Sequence, residues 1–249
     1  MKTLLLAAGI GERLGEASAN QPKCLLEFAG KTLLQRHICI LRHIGINEII
    51  IITGYRSDLV EREIASTGND GDIRIVRNPD YCKGSIISML VGLQELENEP
   101  DFFLMDADVL YDYRILERLL NSPYQNCFLL DREFEQDEEP VKLCVRDGQL
   151  IEFRKKIADN LKYDYQGESV GFFRFNNATA DKLIQSARNY LNRGEDTQPY
   201  EECIRDLLLV DPSRFGFEDI TGLEWIEIDF PEDIDRANND ILPRILQLN

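Results

Sequence analysis

The chain is short of cations and of long apolar runs, and each shortage excludes something. Its 249 residues carry 28 Lys and Arg against 45 Asp and Glu, a formal net charge of −17. Phosphate backbones are held by clusters of Lys and Arg, so this acid excess argues against a general nucleic-acid binder. It leaves room for a small phosphorylated ligand, which needs only a few well-placed cations. No stretch approaches the roughly 18 consecutive apolar residues of a membrane span. The apolar run in MKTLLLAAGIGERLG is too short for a signal peptide and is broken at once by glycines and charges. Cys24, Cys39, Cys82, Cys127, Cys144 and Cys203 include no CxxC pair and suit neither a zinc site nor a compact disulfide framework. They read as reduced, mostly buried thiols of a cytoplasmic protein. Internal repeats, low-complexity tracts and long linkers are missing.

The composition is that of an ordinary folded protein, with 43% hydrophobic and 29% charged residues. A chain of this length buries about three-quarters of its unfolded surface and needs no covalent staples. In the first half, apolar runs alternate with amphipathic stretches. Thr3–Ala7 reads as a buried strand, and Thr32–Ile44 as a helix with Leu33, Leu34, Ile38, Leu41 and Ile44 on one face. Glu48–Thr53 is apolar on both faces, the pattern of a strand covered on two sides. A helix over Ser57–Ala65 with an N-cap serine follows, then a strand over Ile73–Val76 and a helix over Ser85–Glu97. A strand over Phe102–Met105, ending at Asp106, precedes a helix over Tyr113–Leu120. This order implies a mainly parallel sheet with right-handed crossovers.

The texture changes from Asn126. Short strands are expected at Phe128–Leu130, Lys142–Val145 and Leu150–Phe153, the last two joined by an Asp147-Gly148 hairpin turn. The acidic run Glu133–Glu139 reads as a solvated loop. Val170–Phe175 and Trp225–Ile228 read as strands, and Ala178–Asn192, Tyr200–Leu209 and Pro231–Leu246 as helices, with proline suited to the first turn of the last. The expectation is one α/β domain over 1–249 with helices on both faces of its sheet and a smaller β-rich inserted region.

The most informative segment is LLLAAGIGERL at 4–14, followed by Pro22-Lys23. A buried strand runs straight into a loop of small residues, Ala7, Ala8, Gly9 and Gly11, where backbone N–H groups can approach an anion closely. Arg13 can fork onto phosphate oxygens and Lys23 can add a mobile point charge. Charge-assisted contacts of roughly 1.5–3 kcal/mol each would outweigh the global charge. A dinucleotide-binding fingerprint requires Gly or Ala where Leu14 stands, and the Walker A pattern is missing. A simple structural turn remains the alternative. Asp106-Ala107-Asp108 places two carboxylates at the C-terminal edge of an apolar strand, where open α/β sheets bind ligands and where oxygens suit Mg²⁺. An N-cap role for Asp108 or Asp112 is the bland alternative. Asp229 alone would cap a helix; joined to the Asp106/Asp108 edge, it could complete a metal site.

LAAGIGERLG at 6–15, PKCLLEFAGKTLLQRHI at 22–38, GINEIIIITGY at 45–55, MDADV at 105–109 and WIEIDFPEDIDRA at 225–237 together resemble a nucleotidyltransferase of the sugar-nucleotide pyrophosphorylase superfamily. Closest in look are its short bacterial CTP-dependent members, such as phosphocholine and 2-aminoethylphosphonate cytidylyltransferases. The resemblance implies a Rossmann-like mixed, mainly parallel sheet and a triphosphate site under the 7–11 loop. Ala7, Ala8 and Gly9 would face base and ribose, and Arg13 and Lys23, the catalytic cations, the triphosphate. Gly84 and Ser85 would lie near the base, Asp106 by ribose and metal, and Asp108 and Asp229 on Mg²⁺. Residues 1–125 would mainly bind nucleotide, residues 126–230 the acceptor, and residues 231–249 form a C-terminal helix. Gly15–Gln21 lacks the Pro-x-Thr of the hexose-1-phosphate enzymes, which favours CTP.

A cationic acceptor head would want aromatic faces and carboxylates, and Glu168 and Tyr200-Glu201-Glu202 are the candidates. Lys155 and Lys156 could meet its phosphate, or form a solvated basic edge. Trp225 reads as core, and His37 and His43 as structural. The implied partners are CTP and a small phosphorylated acceptor, for a monomer or homodimer. Three alternatives stay open: a sugar-1-phosphate nucleotidyltransferase, a catalytically silent nucleotide-binding subunit, and, more remotely, an NAD-linked oxidoreductase.

Overall fold

The computed structural model describes residues 1–17, 20–68, 71–96, 100–134, 140–246 and 248. A mixed sheet of nine strands runs through it in the order β10-β9-β11-β6-β1-β4-β5, with β8 joining β11 to β12. The strands are β1 (Lys2–Ala7), β4 (Ile49–Thr53), β5 (Ile73–Arg77), β6 (Asp101–Asp106), β8 (Cys127–Asp131), β9 (Lys142–Arg146), β10 (Gln149–Arg154), β11 (Tyr165–Asn176) and β12 (Gly216–Asp219). β5, β4, β1 and β6 are parallel, with Leu5 between Ile51 and Met105. β11 runs antiparallel to β6, setting Phe172 beside Met105, and begins the antiparallel, β-rich half. Two small ribbons flank the sheet: β2 (Glu27–Phe28) with β3 (Lys31–Thr32), and β7 (Val109–Tyr111) with β13 (Trp225–Glu227).

Alternation along the strands sends side chains to two cores. Leu4, Ile50, Ile52, Phe102 and Leu104 pack against α3 (Ser85–Leu93), α5 (Asn177–Asn192) and α6 (Glu201–Val210). Leu5, Ile49, Ile51, Phe103 and Met105 pack against α1 (Leu33–His43), α2 (Ser57–Ser66) and α4 (Arg114–Asn121). Each such fully buried side chain contributes on the order of 1.5–3 kcal/mol. A third cluster joins Leu14, Leu26, Phe28 and Leu33 to Leu110, Ile226 and Ile228. It clamps the N-terminal loop onto the β7–β13 ribbon, and so decides which residues share the site.

The expected mixed sheet with helices on both faces is found. α1 opens with a capping box in which Thr32 and Gln35 satisfy each other's backbone N–H groups. Asp147 (φ 52) and Gly148 (φ 75) form the hairpin turn through their left-handed backbone. Several boundaries differ from the sequence reading. α2 is entered not through a capping serine but through Arg56 at φ 47, with Ser57 already helical. α3 ends at Leu93, and β11 extends back to Tyr165. The last helix is α-helical only over Pro231–Arg236 (α7), then π-helical over Ala237–Ile241. Trp225 lies in the separate ribbon, half-buried, its indole N–H donating to Asp131 Oδ2 at 2.8 Å. β2, β3, β7 and β12 are too short to show in the pattern. Of the acidic run, residues 135–139 lie outside the described residues, as do 18 and 19 of the Gly15–Gln21 stretch. Cys24, Cys127, Cys144 and Cys203 are buried and Cys39 and Cys82 exposed, all with free thiols. No helix among the described residues is long and apolar enough to cross a membrane.

Candidate active site

A cavity of about 530 Å³ opens where the C-terminal ends of β1 and β6 meet the β7–β13 ribbon. β1 delivers Ala7 and then the loop Ala8–Gly11, which forms one wall. Gly11 takes φ 73, a conformation open to glycine at little cost, and its carbonyl accepts from Leu14 N at 3.1 Å. Buried Leu14 holds that turn down while Arg13 beside it stays exposed. Lys23 enters on a short 3₁₀ turn whose next residues, Cys24 and Leu25, are buried anchors.

The opposite wall is acidic. Asp106 ends β6, and Ala107 N donates to Leu6 O at 3.2 Å, bending the chain toward Asp108. The Asp108 carbonyl accepts from Ile228 N at 2.9 Å, which brings the end of β13 alongside. Asp229 and Phe230 N–H groups both donate to Asp233 Oδ2, so Asp233 caps α7 and leaves the Asp229 carboxylate available to the cavity. Neither Asp108 nor Asp112 is the N-cap of α4, a position that falls to Tyr113; Asp112 stands one residue before it and accepts from Arg114 N at 3.0 Å.

The two walls are tied across the gap. Lys23 Nζ donates to Asp108 Oδ2 at 3.0 Å and Asp229 Oδ1 at 2.5 Å, and Arg13 Nη2 to Asp229 Oδ2 at 2.8 Å. Arg13 also lies over the Phe230 ring, 5.2 Å from its centroid. Burial works against the charge on Lys23, but Asp108 and Asp229 more than offset it and hold the ammonium above its ordinary range. Carboxylate oxygens of Asp108, Glu227 and Asp229 all lie within 4.8 Å of one another. Hard oxygen donors at that spacing suit a divalent cation such as Mg²⁺. The cavity is lined by six carboxylates, Glu12, Asp106, Asp108, Glu201, Glu227 and Asp229, against three cations, Arg13, Lys23 and Lys83. Added positive charge is therefore favourable there.

Asp106 is held by a second element. Tyr200 donates its hydroxyl to Asp106 Oδ2 at 2.6 Å, and Tyr200 N donates to Ser85 Oγ at 3.0 Å, so the N-termini of α3 and α6 meet beneath the cavity. Burial pushes the Asp106 carboxyl well above its ordinary value; Asp108 and Glu201 add to the push, and Tyr200 and Lys23 oppose it. Gly171 lies beside it at φ 77, where any side chain would collide with Asp106 Oδ2.

Twelve of the residues singled out in the sequence line this cavity: Ala7, Ala8, Gly9, Gly11, Arg13, Lys23, Ser85, Asp106, Asp108, Tyr200, Glu201 and Asp229. Three do not. Gly84 packs against the 196–198 backbone, its N–H donating to Asp196 O at 2.9 Å, and a side chain there would strike Gln198 O. Lys156 is exposed beyond the end of β10. Glu168 sits in β11 between Asp131 and Lys142, away from the cavity. Glu227 went unremarked in the sequence. Its signal is the i, i+2 spacing to Asp229, which puts both on one face of an extended segment. His37 is structural: fully buried, it meets the Tyr111 hydroxyl through Nδ1 at 3.2 Å.

Residues 3–163 match the family described as the MobA-like NTP transferase domain. The chain is 27% identical over 242 residues to a CMP-5'-(3-aminopropyl)phosphonate synthase of Streptomyces rubellomurinus, covering 96% of this chain but 38% of that one. It is 24% identical over 258 residues to a CTP:phosphoglutamine cytidylyltransferase of Campylobacter jejuni, covering 94% and 98%. The chain thus spans well under half the length of the first relative and nearly all of the second. In fold it is similar to the CTP:phosphocholine cytidylyltransferase of Streptococcus pneumoniae, with a TM-score of 0.71 at 22% identity over 95% and 96% of the two chains.

Proposed function

The chain belongs to the MobA-like NTP transferase family, and we propose that it transfers CMP from CTP to a small phosphorylated acceptor with release of pyrophosphate. The observation that carries this reading is the convergence of Arg13 and Lys23 with Asp108, Glu227 and Asp229 around one cavity. CTP-dependent relatives on phosphonate and phosphoglutamine acceptors support it. An acceptor phosphate or phosphonate oxygen attacks the α-phosphorus of CTP, a P–O bond forms, and the bond to the leaving pyrophosphate breaks. The attacking oxygen is already anionic, so a strong general base is not required. Catalysis then rests on alignment and charge neutralisation.

In this reading the loop Ala8–Gly11 cradles the nucleotide against β1, and Asp106, fixed by Tyr200, borders the ribose. Arg13 and Lys23 neutralise the triphosphate. Asp108, Glu227 and Asp229 would hold Mg²⁺, which supplies Lewis-acid neutralisation of charge on the phosphoryl oxygens. Residues 1–125 supply most of the nucleotide side. Tyr200 and Glu201, from the 126–230 segment, reach the acceptor side of a single domain.

The test is pyrophosphate release by the full chain with Mg²⁺ and each of CTP, UTP, dTTP, ATP and GTP, paired with phosphocholine, aminoalkyl phosphonates, phosphoglutamine and hexose 1-phosphates. CTP-specific release with a small acceptor is the expected result. Release with hexose 1-phosphates alone, or with no acceptor, overturns the reading.

A further inference from the structure

Apart from Glu12, which is exposed to solvent, one carboxylate of the cavity remains unanswered after the assignments above. Asp108 and Asp229 have Lys23 and Arg13, Glu227 belongs to the trio suited to a divalent cation, and Asp106 has the Tyr200 hydroxyl. Glu201 opens α6, where its carboxylate takes up its own backbone N–H at the helix start. Its Oε2 is buried and has no hydrogen-bond partner among the described residues, although the residue lines the cavity. A buried carboxylate oxygen left without a donor is costly, and native proteins retain few of them. Burial pushes this carboxyl up to about 7, against the pull of Lys155 and with Glu202 and Asp108 adding to the push.

The missing partner must donate hydrogen bonds and carry positive charge. A neutral hydroxyl would satisfy the oxygen but leave the charge unanswered. A quaternary ammonium has no N–H to donate and is held by open aromatic faces. Such faces are scarce here. Tyr81 and Tyr200 are the aromatic residues among the described lining, and Tyr200 is 2% exposed, edge-on to Phe173 at 6.2 Å, with its hydroxyl committed to Asp106. A primary ammonium answers both demands.

Resting on the transferase reading, we infer that Glu201 recognises a primary ammonium group on the acceptor, so that the substrate class is an aminoalkyl phosphate or phosphonate. The amine is a recognition handle and takes no part in the bond exchange at phosphorus.

The test compares pyrophosphate release from CTP by the full chain with three acceptors of equal chain length: an ω-aminoalkyl phosphonate, its N,N,N-trimethyl analogue and its hydroxyl analogue. The amine is expected to lead both in kcat/KM by at least about tenfold, mostly through KM. Glu201→Gln, matched to the parent by melting temperature, is expected to shrink that lead to less than about threefold while the KM for CTP stays within about twofold. If the variant does not fold, the discrimination by the parent chain decides alone. An analogue that matches the amine, or a lead that survives in E201Q, overturns the inference and leaves the transferase reading standing. If none of the three, nor any other phosphorylated acceptor, yields pyrophosphate, the transferase reading falls and takes this inference with it.

Discussion

Lys23 Nζ lies 2.5 Å from Asp229 Oδ1, although 206 residues separate the two in the chain. The pair joins the N-terminal loop to the end of the β7–β13 ribbon, with Leu14, Phe28 and Ile228 packed together alongside. Lys23→Met and Asp229→Asn are each expected to lower kcat/KM by about 10²–10³, the usual loss when one preorganised charge is removed from a transition state. Steady-state pyrophosphate release measures this, and an unchanged circular dichroism spectrum shows that the fold has survived. Near-parental kinetics in both variants would separate the pair from the chemistry.

Glu227 and Asp229 divide the metal trio differently. Asp229 also answers Arg13 and Lys23, whereas on the proposed reading Glu227 has a metal role alone. Glu227→Gln is expected to raise the Mg²⁺ concentration for half-maximal activity at least about tenfold, with kcat restored at saturation, because one charge-assisted ligand contact is lost. Saturating Mg²⁺ is not expected to rescue Asp229→Asn. Titrating initial rates with Mg²⁺ for both variants checks the contrast.

What the sequence revealed here follows its physics. Asp106 and Asp108 were legible because they end a strand apolar on both faces, and Arg13 and Lys23 because small residues leave them little other purpose. Glu227 was hidden because a charged residue in the three-residue strand β13 resembles any solvent-facing position. β7 was hidden because Val109–Tyr111 is too short to show a period. The Ser57 cap failed because Arg56 adopts a left-handed backbone, which composition does not announce. Glu168 and Lys156 illustrate a different gap. A residue's chemistry can suit an acceptor, while only the strand register, here Glu168 opposite Lys142, tells where it ends up.

His37, buried behind the cavity wall at Ala107, provides a pH prediction. Burial lowers its imidazole to about 4, below the ordinary 6.5, so the folded state keeps it neutral. Between those values the unfolded chain binds the additional proton. This contribution to stability is therefore complete above pH 6.5 and is lost as the pH falls toward 4, in all of order 3 kcal/mol. His37→Gln is expected to be less stable than the parent at pH 7.5, with the gap narrowing steadily down to pH 4.5. Urea unfolding of both proteins across that range tests it; a gap independent of pH would show that His37 is not held neutral.

Gly171→Ala should report on Asp106. The position has φ 77 and no room for a methyl group beside Asp106 Oδ2. A stability loss of about 1–3 kcal/mol is expected from the backbone alone. A fall of about 100-fold in kcat should accompany it as the carboxylate is displaced. Thermal melts and turnover, measured together, separate the two effects.

β6 is bonded in parallel to β1 on one side and antiparallel to β11 on the other. It is the seam between the parallel and the antiparallel halves of the sheet, and its last residue, Asp106, takes a hydrogen bond from Tyr200 there. On the transferase reading, edits to the 195–199 connection, which delivers Tyr200 and Glu201, would be felt on both sides of that seam at once, because its backbone packs on Gly84 and Tyr200 holds Asp106.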